Sequence, residues 1–305
     1  MAYFQPKKRQ GGANMYELIS AGENTFYINC PVKMGIYRLP DDKVILLDSG
    51  NGKEAGKKIL KILSQKGWML KAVINTHSNA DHIGGNRFLY DKTGCKFYTT
   101  RWEGAFCEFP LLKASFLYGG FPAKPLRNKF LLAEPSLVHD ISTLELPQDM
   151  TVLSLKGHFF DMIGIKTPDD VYFLADSLFS EAIIEKYHIV FIYDVAEYLK
   201  TLDTIETLKG NLFIPAHGDA TENIQPLVAL NRQKVWEIMG IIRDICEKPS
   251  SFEDILKALF DRYRLTMDFN QYVLAGSTLK SYLSCLLDRQ ILQASFQNNK
   301  LLWHR

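Results

Sequence analysis

The segment Thr76-His77-Ser78-Asn79-Ala80-Asp81-His82 places two imidazoles, a carboxamide and a carboxylate within the six residues from His77 to His82. It directly follows Lys71-Ala72-Val73-Ile74-Asn75, an apolar run typical of a buried β-strand. Imidazole nitrogen and carboxylate oxygen are the preferred ligands of zinc and of related transition metals. A tight loop at the end of a buried strand can bring such side chains to one point, so this segment predicts a metal site.

Further His and Asp residues occupy similar positions downstream. Asp176 follows the apolar run at 171–174, and His217 follows the run at 212–215. A third candidate, His158, comes directly after Gly157. The same arrangement, with a potential ligand at or near the end of a strand, therefore recurs along the chain.

This ordered series resembles the metallo-β-lactamase superfamily, whose pattern is H-x-H-x-D-H followed by a lone His, an Asp and a last His. The matching residues, in chain order, are His77, Asn79, Asp81, His82, His158, Asp176 and His217. Residues 46–50 (LLDSG) are similar to the family's first motif, and residues 82–86 (HIGGN) to the usual continuation of its ligand motif. The resemblance covers roughly residues 15–230, with one main departure: Asn79 stands where the family normally has its second histidine.

The resemblance implies two metal positions that share one carboxylate. His77, Asn79 and His158 would surround a first ion, Asp81, His82 and His217 a second, and Asp176 would bridge the two. It also implies that Asp81, His82 and Asp176 are the catalytic residues, with metal-bound hydroxide as the nucleophile. Asp48 is expected to support a ligand rather than to take part in the reaction.

Asn79 affects the cofactor that we expect. A carboxamide oxygen is neutral and is a poorer donor to zinc than an imidazole nitrogen. We therefore expect one or two Zn²⁺ ions, with either weaker binding at the first position or a harder ion there, such as Mn²⁺ or Fe²⁺. Occupation of the second position alone would still permit hydrolysis, because one zinc ion can supply hydroxide. Two roles for Asn79 remain open, as a metal ligand or as a hydrogen-bonding residue.

Strand-like and helix-like segments alternate along the first 230 residues. Strands are predicted at 25–29, 35–38, 43–47, 71–75, 95–99, 151–155, 162–166, 171–174 and 212–215, and helices at 53–65, from about 82, and at about 195–208. This alternation indicates the α/β class. The family resemblance narrows the class to a four-layered αββα sandwich. The aromatic-rich region 101–135 is expected to form a pocket wall or lid.

The pattern changes near residue 250 and indicates a small C-terminal domain. Apolar stripes within 252–263 and 279–287 predict two helices, and the runs at 291–296 and 301–303 predict a hairpin. This order resembles a winged-helix domain. We therefore predict a disordered tail at 1–14, a catalytic domain at 15–230, and a helical linker with a winged-helix-like domain at 231–305.

Composition and charge limit the expected partners and location. The 305 residues carry a net charge of +2, which favours neither nucleic acid nor an anionic membrane surface. The basic N-terminal residues have no apolar signal segment behind them, and the five cysteines include no C-x-x-C pair. We expect a cytoplasmic protein with reduced cysteines and a small-molecule substrate. A homodimer formed through the C-terminal domain remains an open alternative.

These observations predict a metal-dependent hydrolase, similar to glyoxalase II or to lactonases, acting on a small thioester, ester or lactone. Two alternatives remain open. The first is a metal-dependent phosphodiesterase or nuclease, which the near-neutral net charge of the chain disfavours. The second is a non-catalytic regulatory protein whose degenerate metal site is marked by Asn79.

Overall fold

The computed structural model describes residues 16–305, so the tail predicted at 1–14 lies outside the described residues. The described chain forms two compact units. The first contains the residues up to 155 together with 161–176 and 209–223, and the second contains 156–160, 177–208 and 224–305. The candidate ligands divide between these units, because His158 belongs to the second and the other six belong to the first.

The first unit contains a mixed sheet whose strands lie side by side in chain order. The strands are β1 (Glu17–Ser20), β2 (Thr25–Asn29), β3 (Met34–Arg38), β4 (Lys43–Leu47), β5 (Met69–Ile74), β6 (Lys96–Thr99) and β7 (His139–Asp140). Strands β1 to β4 pair antiparallel, and β4 to β7 pair parallel. Leu47 pairs with Ile74 at the carboxyl ends of β4 and β5, so the loops that carry Asp48 and His77 begin side by side.

A second sheet in the same unit has the strand order β11-β10-β9-β8. Its strands are β8 (Thr151–Ser154), β9 (Ile163–Lys166), β10 (Val171–Phe179, of which 171–176 belong to this unit) and β11 (Leu212–His217). The inner faces of the two sheets share one buried cluster, to which Ile45 and Ile74 contribute from the first sheet and Ile165 and Phe173 from the second. The hydrophobic effect therefore holds the two sheets face to face.

Helices cover the outer face of the first sheet. The helices of this unit are α1 (Gly52–Lys66), α2 (Ala80–Ile83), α3 (Asn86–Thr93), α4 (Arg101–Glu108) and α5 (Leu111–Tyr118). Ile59 and Leu63 of α1 join a second buried cluster with Ile36 and Val73 of the sheet. The predicted α/β class is therefore confirmed, and the helix that the sequence predicts at 53–65 is α1.

The aromatic-rich region 101–135 contains two helices, α4 and α5, that have a buried and an exposed side. Glu103, Cys107 and Lys113 are buried, whereas Trp102 and Phe109 expose most of their surface. The inner side of this region is therefore part of the packed interior. Its role as a pocket wall or lid stays a prediction.

The second unit is mainly helical. It contains α6 (Glu181–Tyr187), α7 (Val195–Thr207), α8 (Gln225–Ile245), α9 (Phe252–Tyr263), α10 (Phe269–Asp288) and the hairpin strands β12 (Gln293–Gln297) and β13 (Lys300–His304). The domain boundary predicted between residues 230 and 231 falls within α8 and stays a prediction. Between residues 16 and 305, no helix combines the length and apolar composition needed to cross a membrane.

Local signals explain the ends of the C-terminal elements. Ser251 and Asp254 form a reciprocal capping box that begins α9. The hairpin turns at Asn298 and Asn299, both with positive φ, which suits the twist of a two-residue hairpin loop. The order of helix, helix and hairpin agrees with the sequence prediction, and its classification as a winged helix stays a prediction.

Candidate metal centre

Five of the seven predicted ligands converge in the first unit. The donor atoms of His77, His82 and Asp176 lie within 4.8 Å of one another, and so do those of Asp81, His82 and His217. His82 belongs to both groups. The loop after β5, helix α2, strand β10 and the end of β11 therefore supply one continuous cluster of imidazoles and carboxylates.

The Asp176 carboxylate lies among three imidazoles. Its Oδ1 is 3.0 Å from His82 Nε2, and its Oδ2 is 3.2 Å from His217 Nε2 and 3.8 Å from His77 Nε2. Asp81 Oδ2 lies 3.6 Å from His217 Nε2. This central placement is what the family resemblance implies for a carboxylate that bridges two metal positions.

The donor set fits a divalent metal ion. Three imidazoles and two carboxylates converge where His77 and His82 are fully buried and Asp176 is 3% exposed. A buried carboxylate is stable only when it is paired or bound to a cation. Imidazole with carboxylate is a combination that zinc and neighbouring transition metals accept.

The pKa values of these groups reflect their mutual proximity. Burial opposes the charged form of His82, but the carboxylates of Asp176 and Asp48 outweigh this effect and raise its pKa well above the ordinary value. Burial likewise opposes ionisation of Asp176, yet His217 and His82 hold the pKa of that carboxyl well below its usual range. The cluster therefore stabilises positive charge around Asp176. Since imidazoles bind metal only when neutral, protons and metal ions compete for the same nitrogen atoms.

Asp48 fixes the orientation of two imidazoles. Its Oδ1 accepts a hydrogen bond from the Thr76 N–H (2.8 Å), and its Oδ2 lies 2.7 Å from Thr76 Oγ1 and 2.8 Å from His82 Nδ1. Thr76 Oγ1 in turn lies 3.1 Å from His77 Nδ1. With Nδ1 of both rings engaged in this way, Nε2 of both rings faces Asp176. This is the supporting position that the sequence analysis expects for Asp48.

Two residues beside the cluster have strained backbones. Asp48 has a φ of 61° and Ala175, which precedes Asp176, has a φ of 48°. Non-glycine residues seldom adopt this left-handed region, and each instance costs on the order of 1–3 kcal/mol. The surrounding structure maintains this strain at the two points where a strand presents an aspartate to the site.

The Gly-Gly-Asn part of the ligand motif holds the loop after β4 in place. A Cβ atom on Gly84 would lie 2.3 Å from Gly52 N, and one on Gly85 would lie 2.3 Å from Ser49 O. Asn86 follows, and its Oδ1 accepts a hydrogen bond from Ser49 Oγ at 2.7 Å. The two glycines therefore permit a backbone approach that larger residues would prevent.

The carboxyl end of β11, which carries His217, is held by Lys33. The Lys33 N–H donates to Ala216 O at 3.0 Å, and the Lys33 ammonium donates to Gly218 O. Both carbonyl groups that flank His217 are thus fixed by one residue, which reduces the freedom of the loop that positions this imidazole.

Asn79 has a partner that the sequence analysis missed. Lys113 Nζ, on α5, donates a hydrogen bond to Asn79 Oδ1 at 2.6 Å. Lys113 is only 6% exposed, and burial lowers its pKa to about 8, although Asp81 and Glu103 act in the opposite direction. The only signal in the sequence is a lone lysine within the apolar segment LLKASFLY at 111–118.

Glu103 is a second buried residue that the sequence analysis missed. Its Oε2 accepts hydrogen bonds from Ser78 N (3.0 Å) and Ser78 Oγ (2.7 Å), and its Oε1 accepts one from Asp161 N (2.9 Å). Burial raises the pKa of this carboxyl to about 7 against the effect of these hydrogen bonds. Glu103 therefore fastens the ligand loop between His77 and Asn79 to α4.

His158 lies in the second unit, where its Nδ1 is 2.9 Å from the carbonyl oxygen of Phe191. The preceding Gly157 has a φ of 115°, and a Cβ there would lie 2.3 Å from Tyr198 N. Glycine is thus required before His158 because the backbone of α7 comes so close. The assignments of His158 and Asn79 as metal ligands stay predictions.

Comparison with known proteins defines the class. Residues 28–217 match the family model of the metallo-β-lactamase superfamily. The chain belongs to the metallo-β-lactamase superfamily, as the sequence predicts. Membership also implies metal binding.

Two curated relatives have the name hydroxyacylglutathione hydrolase. The protein from Methylococcus capsulatus is 41% identical over 64 residues, which cover 19% of this chain and 25% of the relative. The protein from Rhodopseudomonas palustris is 31% identical over 123 residues, which cover 40% of this chain and 39% of the relative. The chain thus spans between a quarter and two fifths of the length of these relatives.

Solved structures share the fold at low sequence identity. A β-lactamase domain protein from Burkholderia ambifaria superposes with a TM-score of 0.73 at 17% identity, covering 97% of this chain and 95% of its own. A metallo-β-lactamase family protein from Thermus thermophilus has a TM-score of 0.69 at 15% identity, covering 92% and 98% of the two chains. The predicted fold class, including the C-terminal helical region, is therefore confirmed.

Proposed function

We propose that the protein is a zinc-dependent hydrolase of small thioesters, esters or lactones. The convergence of Asp81 and His82 of α2, Asp176 of β10 and His217 at the carboxyl end of β11 carries this proposal. The name of the two curated relatives supports a thioester in particular, because the acyl group of an acylglutathione is attached to sulfur.

A bound metal ion would lower the pKa of a coordinated water to about 7 and so make hydroxide available at neutral pH. The chain's own residues keep this site rigid. Asp48 orients His82, and Glu103 holds the ligand loop through Ser78. Such support keeps donor atoms in place without reorganisation during the reaction.

Zinc, as one or two ions, is the cofactor that we propose, with Mn²⁺ or Fe²⁺ as the alternatives that Asn79 allows. The partner is a small-molecule substrate. The cytoplasmic location and the homodimer through the C-terminal region stay predictions from the sequence.

The test combines elemental analysis with a substrate panel. Protein purified without chelators or added metal is assayed on an acylglutathione thioester, an aliphatic lactone and an aromatic phosphodiester. We expect bound metal, hydrolysis of the thioester or lactone, loss of activity with a chelator, and recovery with Zn²⁺. Cleavage of only the phosphodiester would favour the phosphodiesterase alternative. Protein without metal, and unable to take it up, would favour the non-catalytic alternative.

A further inference from the structure

A buried lysine contacts the residue that departs from the family's ligand pattern. Asn79 stands where a histidine is normal, and the ammonium of Lys113 donates to its Oδ1 at 2.6 Å. Lysine is almost never buried to this degree unless its charge is compensated. The 6% exposure of Lys113 therefore requires a reason within the site.

The surrounding charges supply that reason. Asn79, which holds the ammonium, stands two residues before Asp81, and the Glu103 carboxylate binds Ser78 of the same loop. Asp81 and Asp176 both belong to the candidate ligand set. The ammonium thus compensates part of the negative charge that the family uses to hold two cations.

Asn79 and Lys113 are chemically complementary. The amide oxygen of asparagine accepts a hydrogen bond from an ammonium. A histidine that ligates a metal through one ring nitrogen retains only an N–H donor at the other, and so has no acceptor for Lys113. A cation bound to the same amide oxygen would also face the ammonium at short range, where repulsion between like charges is strong because water is excluded.

We propose that Lys113 takes the place of the first metal ion. Its ammonium, held by Asn79, supplies the positive charge at that position, and the protein binds one ion through Asp81, His82, Asp176 and His217. The inference rests on the proposed metal-binding role of this cluster and does not depend on the substrate.

The test compares the zinc content of four proteins: the wild type, Asn79→His, Asn79→His with Lys113→Met, and Asn79→His with Lys200→Met as control. Methionine retains the length and apolar character of the lysine stem without its charge, and Lys200 is an exposed lysine of α7. Each protein is equilibrated with Zn²⁺, desalted and measured by elemental analysis. We expect two ions per chain in the variant that combines Asn79→His with Lys113→Met, and one in each of the other three.

Two ions in the wild type, or in Asn79→His alone, would overturn the inference, and so would one ion in Asn79→His with Lys113→Met. If that variant does not fold, calorimetric titration of the metal-free wild type with Zn²⁺ replaces it, since a stoichiometry of one supports the inference and two overturns it. Wild type that binds one ion yet hydrolyses no member of the substrate panel would contradict the proposed function and still support this inference.

Discussion

Asp48 Oδ2 lies 2.8 Å from His82 Nδ1, and the same carboxylate accepts hydrogen bonds from the backbone and hydroxyl groups of Thr76. Through Thr76, whose Oγ1 lies 3.1 Å from His77 Nδ1, its influence reaches a second imidazole. One aspartate directly after β4 therefore orients two candidate ligands, His77 in the loop after β5 and His82 in α2. Four predictions test this and the other features of the site.

Asp48→Asn should weaken zinc binding by about 10- to 100-fold, the usual effect of removing a carboxylate that orients a ligating histidine. The amide can offer only one acceptor oxygen in place of two. Competition with a chromophoric chelator measures the affinity. Asp140→Asn, at an exposed aspartate that begins a 3₁₀ turn, is the control and should leave the affinity unchanged. Equal affinities in both variants would show that Asp48 does not act through His82.

His82→Ala should remove both metal and hydrolysis, because His82 belongs to both groups of converging donors. We expect activity to fall at least about 100-fold, because removing a metal ligand should have a larger effect than removing a residue that only orients that ligand. Metal content and turnover are measured on the same preparation. His139→Ala, at a histidine in β7 outside both groups, should retain both properties. Turnover that persists in His82→Ala would contradict the proposed mechanism.

Glu103→Gln should change how stability depends on pH. Burial raises the pKa of Glu103 to about 7 from 4.5, so between these values the folded state binds more protons than the unfolded state. The contribution of Glu103 to stability is therefore fully present below about pH 4.5 and is lost as the pH rises through about 7. Urea unfolding of metal-free protein between pH 5 and 8 measures this contribution.

The wild type should lose stability relative to Glu103→Gln over this pH interval, because glutamine cannot titrate. Glu222→Gln, at an exposed glutamate, provides the control and should follow the wild-type profile. Parallel profiles for the wild type and Glu103→Gln would mean that Glu103 stays ionised in the folded protein.

Gly84→Ala should destabilise the fold by about 1–3 kcal/mol, because the added methyl group would lie 2.3 Å from Gly52 N, a backbone atom that cannot rotate away. Gly240→Ala is a matched control within α8, where nothing lies within 4 Å of the added methyl. That change should stabilise the protein by roughly 0.5–1 kcal/mol, since alanine is the better helix former. Urea unfolding of both variants measures the two effects, and a Gly84→Ala protein as stable as the wild type would contradict the close packing.

Several elements follow from local sequence alone. The predicted limits of β2, β4 and α9 agree with those of the structure. The spacing of apolar residues that marks a strand or a helix depends only on residues that are close together in the chain. Other limits differ by a few residues. The helix predicted from about residue 82 is divided into α2 and α3 at Gly84 and Gly85, where the chain packs against the loop after β4.

The seven candidate ligands and their order are readable in the sequence, because the tight segment 77–82 and the apolar runs that precede Asp176 and His217 are local features. In the structure β10 continues to Phe179, so Asp176 lies within that strand and not at its end. What they do together depends on tertiary structure. The pairs Asp48–His82 and Lys113–Asn79 are each separated by 34 residues, and no local pattern specifies them.

The sequence by itself determined the family, through the resemblance of its ordered motifs, and the α/β class, through periodicity, together with the residue types available for a metal site. Only the tertiary structure decided that a buried ammonium contacts Asn79 and that Glu103 holds the ligand loop. The physical reason is that the charge state and contacts of a buried group depend on which distant segments exclude water from it, and packing of the whole unit determines that.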